Sequence, residues 1–144
     1  MAENWLVDHF THSLDAKNRV FFPAKFREDL GEAFIITFNV DRGLSAYSLS
    51  EWEVFMDKLR SLPKTQVKDI TRFFCGNAIK ATPDKQGRVM LTKELLEFAG
   101  IKESITFVGC GDRVELWPAE KKPLEKYDEN FINGITAHMI ELGI

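Results

Sequence analysis

Two short segments of the sequence carry a carboxylate and an arginine at the same spacing. Asp15 precedes Arg19 by four residues, and Asp84 precedes Arg88 by the same distance. An aspartate can act as a general base, or can bond backbone N–H groups inside a tight turn. An arginine presents a planar fork of donors that matches phosphate, or the O6 and N7 atoms of guanine. The chemistry open to these residues is therefore acid–base catalysis, turn formation or nucleic-acid recognition.

Catalysis by the two aspartates would require partners that the sequence does not supply. Neither aspartate is accompanied by a nucleophile with its base or by a set of convergent ligands. We therefore predict no catalytic residues, no cofactor and no enzymatic activity. Asp15 and Asp84 are interpreted as turn-shaping residues, because an aspartate accepts a hydrogen bond from the N–H two residues onward. Asn18 and Gly87 share that predicted role, since both residue types tolerate positive φ.

Histidines and cysteines are the remaining candidates for metal or redox chemistry. His9 and His12 are three residues apart in a segment whose alternation predicts a strand. Residues at i and i+3 of a strand point to opposite faces, so these two imidazoles could not chelate one metal ion. Cys75 and Cys110 are far apart and lack metal or redox spacing, and we predict small buried thiols. We therefore predict no metal site and no disulfide.

The two turns belong to a longer internal repeat with an offset of about 69 residues. The segment "VFFPAKFREDLG" aligns with "VMLTKELLEFAG", and "FIITFNVDRGLSAYSLSEWE" aligns with "ITFVGCGDRVELWPAEKK". Each half predicts strand, turn, strand, short helix, strand and strand. A half of about 65 residues buries little core by itself. We therefore expect the halves to share one core in a pseudo-symmetric unit.

Local signals mark the ends of most predicted elements. A strand is predicted over 5–14, and hairpins are predicted from 34–38 with 44–47 and from 105–109 with 113–117. Pro23 is predicted as the first residue of a helix that ends at Gly31. Thr92 and Gly100 mark the same ends in the second half. The aromatic residues beside the first turn, Phe21, Phe22 and Phe26, are predicted to supply core.

The segment between the halves predicts two helices. The first should begin with a capping box of Ser50 and Glu53 and a hydrophobic staple of Leu49 and Val54. Its predicted apolar stripe contains Trp52, Phe55, Met56 and Leu59. The second helix is predicted over about 65–74, with Val67, Ile70, Phe73 and Phe74 buried.

Composition limits the classes of function. The chain has 144 residues, 44% of them hydrophobic, and a net charge of −3. This charge argues against coating nucleic acid by bulk attraction, but it leaves room for a local basic site. No window approaches the roughly 18 uninterrupted apolar residues of a membrane helix, and we expect a cytoplasmic protein without a membrane partner.

Four segments, read in order, resemble the MraZ family. They are "HSLDAKNRVFFPAKFRE", "LSEWE", "DKQGRVMLTKELLEFAGI" and "ITFVGCGDRVELW". The resemblance implies an α+β, mainly β fold, a double AbrB-like swapped-hairpin β-barrel with short helices and a pseudo-two-fold internal repeat. We place the first AbrB-like segment at 5–52, connecting helices at 53–77, the second segment at 78–122 and a helical tail at 123–144.

The same resemblance implies a transcriptional regulator that binds DNA. The expected partner is double-stranded DNA, recognised by sequence at direct repeats in the protein's own promoter region, within the division and cell-wall gene cluster. A ring-shaped homo-oligomer, cytoplasmic and associated with the nucleoid, is the expected assembly. No small-molecule substrate is implied.

The family's motif can be carried onto both turns. Arg19 and Arg88 are the principal candidates for reading bases, and neighbouring lysines would contact phosphate without specifying sequence. The full predicted DNA-binding set is Arg19, Lys17, Arg88, Lys85, Arg27 and Lys25. We interpret Arg19 as left over for a partner. We expect it to matter more than Arg88, because Lys17 and Asn18 make the first turn more basic and stiffer.

Two other interpretations stay open, and three residues depart from the family's pattern. The arginines could simply pair with surface carboxylates, or the chain could be a structural ring without affinity for DNA. Asn18 replaces a usual glycine, which it can do at modest cost because it adopts the left-handed conformation. Thr92 stands where proline is common. Asp8 stands where glycine is usual, so the geometry near His9 is open.

Overall fold

The computed structural model describes residues 5–144, which form eight strands, five α-helices and one short 3₁₀ turn. In chain order the elements are β1 (His9–Ser13), β2 (Arg19–Phe21), α1 (Ala24–Leu30), β3 (Phe34–Phe38), β4 (Leu44–Ser48), α2 (Leu49–Arg60), α3 (Lys64–Gly76), β5 (Ile79–Ala81), β6 (Arg88–Met90), α4 (Lys93–Ala99), β7 (Ser104–Gly109), β8 (Val114–Pro118), the 3₁₀ turn (Ala119–Lys121) and α5 (Glu129–Leu142).

The strands form a six-stranded antiparallel sheet and a separate two-stranded ribbon. The sheet order is β1-β7-β8-β4-β3-β5, and the ribbon pairs β2 with β6. The pairs β1–β7, β3–β5, β4–β8 and β2–β6 each join the first half of the chain to the second. Each half therefore lends its first strand to the hairpin of the other half. The halves cannot separate without breaking both sheets.

The strand registers reveal a pseudo-two-fold axis. In the ribbon, Val20 pairs with Val89, which is its equivalent in the repeat. In the sheet, Ser45 pairs with its equivalent, Glu115. A residue that pairs with its own equivalent lies on a two-fold axis. The axis therefore passes through the middle of the ribbon and the centre of the sheet.

One hydrophobic core is shared by the two halves. The buried ring of Phe22 packs against Phe34 and Phe107, with ring centroids 4.7 Å and 5.0 Å away. Phe107 comes from the second half and the other two rings from the first. Aromatic pairs of this kind add about 0.5–1.5 kcal/mol beyond area burial. The prediction of a shared core is confirmed.

The ends of α1 and α4 follow the sequence signals with one shift. Thr92 Oγ1 caps α4 by accepting a hydrogen bond from the N–H of Leu95 at 3.2 Å. Gly100 ends that helix with φ of 69°, and Gly31 ends α1 with φ of 95°. Pro23 occupies the cap position of α1 rather than the first helical position. Its ring suits the cap because that N–H needs no helical partner.

The capping box predicted at Ser50 is wrong. Helix α2 begins at Leu49, and its cap is Ser48, whose Oγ accepts from the N–H of Glu51 at 3.1 Å. Because Ser48 is also the last residue of β4, the strand passes directly into the helix. Leu49 and Val54, predicted as a hydrophobic staple, are both about half exposed.

Helices α2 and α3 bury less apolar surface than the sequence predicts. In α3, Val67 is buried, Phe73 and Phe74 are half-buried, and Ile70 is 43% exposed. The predicted burial of Ile70 is therefore wrong. The predicted stripe of α2 is half-buried along its length: Trp52, Phe55, Met56 and Leu59.

The α+β class and the internal repeat are confirmed. The six strands run in an open order, with β1 and β5 at the two ends. The pairings among residues 5–144 therefore do not show a closed barrel.

Candidate nucleic-acid interface

The first turn is built by the side chain of Asp15. Its Oδ1 accepts hydrogen bonds from the N–H groups of Lys17 and Arg19, both at 2.9 Å. The backbone closes the turn through Asn18 N–H to Asp15 O at 3.1 Å. Asn18 has φ of 59°, a conformation that asparagine adopts more readily than most residues. The turn chemistry predicted for Asp15 and Asn18 agrees with this geometry.

The second turn repeats the first. Asp84 Oδ1 accepts from the N–H groups of Gln86 and Arg88, both at 2.9 Å. Gly87 takes the left-handed position with φ of 82°. Each turn is also tied to the other half, because Gly87 O accepts from the N–H of Phe22 and Asn18 O accepts from that of Leu91. The turns therefore hold each other in place.

Each arginine is held by the aspartate of its own turn. Arg19 Nε donates to Asp15 Oδ2 at 2.8 Å, and Arg88 Nε donates to Asp84 Oδ2 at 3.0 Å. Arg19, interpreted from the sequence as left over for a partner, is therefore also bonded within its own turn. Because only Nε of each guanidinium donates to an aspartate, the two Nη groups remain free to donate. Within residues 5–144, no hydrogen bond uses an Nη of Arg19 or Arg88. The aspartates orient the forks while leaving donors for a ligand.

Both arginines lie on one face of the β2–β6 ribbon. Arg19 pairs with Met90 across the ribbon, and Phe21 pairs with Arg88. Val20 lies between them on the buried face, so the alternation of the strands puts these four side chains outward. Phe21 is 50% exposed and Met90 65% exposed, so the prediction that Phe21 supplies core is wrong. Sequence reasoning missed both residues, although the two-residue period of a strand could have revealed them.

The other predicted basic residues occupy three different environments. Lys17 and Lys85 are exposed in the turns. Lys25 Nζ lies 3.2 Å from a carboxylate oxygen of Asp8, a residue with φ of 84°. Arg27 Nε donates to the carbonyl of Phe22 at 2.8 Å. The two lysines are therefore available at the ribbon ends, whereas Lys25 and Arg27 are engaged within the fold.

The guanidinium of Arg27 also packs closely against the glycine of the second turn. A Cβ added at Gly87 would lie 2.8 Å from the guanidinium carbon of Arg27. The equivalent of Arg27 in the second half is Leu96, so the first turn has no matching guanidinium. Arg27 therefore brings a further basic group to the second turn, which offsets the expected difference in basicity between the turns.

The backbone of the turns stabilises the charged form of both carboxylates. Hydrogen bonding from the Arg19 N–H is the main cause that lowers the pKa of Asp15, with the Lys17 N–H and the Arg19 side chain acting in the same direction. The Arg88 N–H lowers the pKa of Asp84 in the same way. Both aspartates are therefore ionised at neutral pH and hold their arginines by charge-assisted bonds.

The other candidates for chemistry do not form a site in the described part of the chain. Residues 5–144 contain no group of three or more His, Cys, Asp or Glu side chains that could hold a metal ion. Cys75 and Cys110 are free and half-buried rather than buried. Burial raises the pKa of Cys110 to about 11, which makes it a poor nucleophile at neutral pH. Within the same residues, no helix has the length and apolar character needed to cross a membrane.

Comparison with known sequences matches the two halves of this fold to one family. The sequence model described as "MraZ protein, putative antitoxin-like" matches residues 6–72 and again residues 74–135. The chain belongs to the MraZ family. The resemblance stated from the repeated turns is confirmed, and the double match corresponds to the pseudo-two-fold halves of the structure.

Similar MraZ proteins match over nearly their full length. A protein named "Transcriptional regulator MraZ" from Clostridium acetobutylicum is 41% identical over 142 residues, covering 96% of this chain and 99% of its own. Its namesake from Acetivibrio thermocellus is 44% identical over 138 residues, covering 94% and 96%. A third, from Caldicellulosiruptor bescii, is 40% identical over 142 residues, covering 96% and 99%.

Proposed function

We propose that this chain is a transcriptional regulator that binds double-stranded DNA through the outward face of the β2–β6 ribbon. The observation that carries the proposal is the pair of arginines on that face, each oriented by an aspartate of its own turn. The major groove of B-DNA is about 12 Å wide and admits a two-stranded β-ribbon. The names of the similar MraZ proteins support the same function.

The ribbon offers the right donors for base recognition. With Nε bonded to Asp15, the Nη1 and Nη2 groups of Arg19 can donate together to O6 and N7 of guanine. Arg88 can do the same from the neighbouring strand. Phe21 and Met90 supply apolar surface that can contact thymine methyl groups. Lys17 and Lys85 flank these contacts and suit phosphate oxygens, which fix position rather than sequence.

Specificity on this proposal comes from several copies acting together. One ribbon makes few base contacts, but a ring of copies can engage direct repeats at once, because the second contact becomes intramolecular. The net charge of −3 disfavours binding to arbitrary DNA. The proposed target is a set of direct repeats in the protein's own promoter region, in the division and cell-wall gene cluster. Cytoplasmic location and association with the nucleoid follow from that target.

Binding to a duplex taken from upstream of the protein's own gene tests the proposal. Fluorescence anisotropy should show affinity that falls steeply with salt and exceeds that for a scrambled duplex. Arg19→Ala and Arg88→Ala should each weaken specific binding by about 5- to 150-fold, the equivalent of about 1–3 kcal/mol per bidentate contact. Lys17→Ala should weaken binding to the two duplexes by the same factor. It should also reduce the slope of log affinity against log salt concentration by about one.

Arg113→Ala is the matched control for the ribbon variants. Arg113 is paired with Asp112 and Glu115, and its side chain is 35% exposed, against 31% for Arg19. It lies in the β7–β8 turn rather than on the ribbon, so its loss should leave DNA affinity unchanged. Wild-type affinity in both ribbon variants, or equal affinity of the wild type for the scrambled duplex, would overturn the proposal.

A further inference from the structure

Helix α5 carries an apolar stripe that no other element within residues 5–144 covers. Every residue of the helix is exposed. At 3.6 residues per turn, one arc of about 100° contains most of its large apolar side chains. The members of this stripe are Phe131, Ile132, Ile135, Met139 and Leu142, all more than 40% exposed. Ile140 lies on the opposite side of the helix.

The helix is poorly equipped to stand alone in water. It has 14 residues, and isolated helices shorter than about 12–15 residues are marginal even for alanine-rich sequences. Gly134 in its interior costs roughly 1 kcal/mol relative to alanine. Asp128 caps the first turn and Gly143 the last, but caps pair only the free backbone groups at the two ends of the helix. The helix therefore needs a surface that buries its stripe.

The groove between α2 and α3 is an unfilled apolar surface of the same chain. Its volume is about 450 Å³, and its apolar floor includes Met56, Leu59 and Val67. Four basic side chains line it: Arg60, Lys64, Lys68 and Arg72. Glu53 and Asp57 pair with Arg60, and Asp69 with Arg72. Within residues 5–144, Lys64 and Lys68 make no ion pair, so the rim keeps positive charge.

The tail and the groove have opposite charges. The helical tail, 123–144, contains Glu125, Asp128, Glu129 and Glu141 against one lysine, Lys126, and residues 127–144 contain no lysine or arginine. An amphipathic helix in an apolar groove is a common recognition mode, and complementary rim charges set its partner. The acidic character of the tail disfavours an anionic lipid surface, because helices that lie on membranes carry lysine and arginine on the polar face.

We propose that α5 of one chain docks into the α2–α3 groove of a second copy. In this structure the helix lies outside the groove of its own chain, and both surfaces are open. Because each copy gives a helix and receives a helix at a different surface, the contact is heterologous and propagates into a ring or a filament. The inference rests on the proposed oligomer and names the surfaces that build it.

Sedimentation velocity of full-length variants tests the inference without DNA. Ile135→Glu puts a charge in the stripe, and Thr71→Arg fills the groove. Each should weaken self-association at least about tenfold relative to the wild type. Ile140→Glu, on the opposite side of α5, is the matched control and should assemble normally. None of the three substituted residues belongs to the hydrophobic core, so each variant should fold normally. Near-UV circular dichroism of each variant checks that its tertiary structure matches that of the wild type.

Mixing the two defective variants gives a second measurement. Ile135→Glu retains an intact groove and Thr71→Arg retains an intact helix, so an equimolar mixture should form a 1:1 complex and stop there. Normal assembly of Ile135→Glu, a mixture that stays monomeric, or a wild type that never self-associates would each overturn the inference. Binding of one repeat to the monomeric variants measures the proposed DNA function separately, since the ribbon is unchanged in them.

Discussion

Arg88 Nη1 lies 4.0 Å from Asp15 Oδ2, the oxygen that also accepts the hydrogen bond from Arg19 Nε. Asp15 therefore reaches the arginines of both turns. Asp84 pairs with Arg88, and no pairing of Asp84 with Arg19 is present within residues 5–144. The pseudo-two-fold symmetry is thus broken at the carboxylates. Because all four side chains are partly exposed, the effect concerns orientation more than stability.

This asymmetry predicts different consequences for the two aspartates. Asp15→Asn keeps an oxygen for the turn but removes the charge that both arginines face, whereas Asp84→Asn affects Arg88. We expect Asp15→Asn to raise affinity for scrambled DNA severalfold, because a carboxylate beside phosphate is lost. Its preference for the upstream duplex should fall more than that of Asp84→Asn. Anisotropy titrations against both duplexes measure this, and an equal or larger loss in Asp84→Asn would contradict it.

The lowered pKa of Asp15 predicts a dependence of stability on pH. A carboxyl whose pKa is lower in the folded state stabilises the fold fully above its unfolded value, near 3.8, and this contribution is lost as the pH falls through the folded value. Asp15→Asn removes the contribution. Urea unfolding should therefore show a gap between wild type and variant at about pH 5 that narrows towards about pH 2.5. A difference in stability that stays constant over this pH range would contradict the assignment of the stabilisation to the ionised Asp15 carboxylate.

The two left-handed turn positions predict unequal effects of the reciprocal exchanges between asparagine and glycine. Asn18→Ala should lower the free energy of unfolding by about 1–2 kcal/mol, because alanine is strained at positive φ. Asn18→Gly should change it by less than about 0.5 kcal/mol, since glycine adopts that conformation freely. Gly87→Asn is the reciprocal change, and it should cost more than Asn18→Gly because its Cβ would displace the Arg27 guanidinium, which donates a hydrogen bond to the carbonyl of Phe22. Chemical denaturation measures all three, and a neutral Gly87→Asn would contradict the packing argument.

Much of the local structure could be predicted because it depends on residues close in sequence. Asp15 and Asp84 bond N–H groups two and four residues away, and Thr92 caps a helix three residues away. Such contacts leave a pattern in the sequence. The cap of α2 was predicted wrongly because Ser48 and Ser50 carry the same hydroxyl group, and only the point at which β4 passes directly into α2 distinguishes them.

Other features depend on contacts between residues far apart in sequence. Arg27 of the first half packs against Gly87 of the second half, and no local sequence pattern predicts this contact. Phe21 carries the same apolar side chain as its buried neighbour Phe22, yet strand alternation and the ribbon's position turn it outward. Asp8 adopts a φ of 84°, which resolves the geometry that the sequence left open near His9, and Lys25 pairs with its carboxylate.

The sequence by itself determined the twofold repeat, the chemistry of the two turns and the family, because these depend on residue types at short, fixed spacings. Tertiary structure decided what the turns can do. The β2–β6 pairing centres Val20 on Val89 and thereby puts Arg19 and Arg88 on one face. It also placed both arginines near one oxygen of Asp15, and it left α5 and the α2–α3 groove uncovered. These relationships arise from packing between distant segments, which spacing along the chain does not encode.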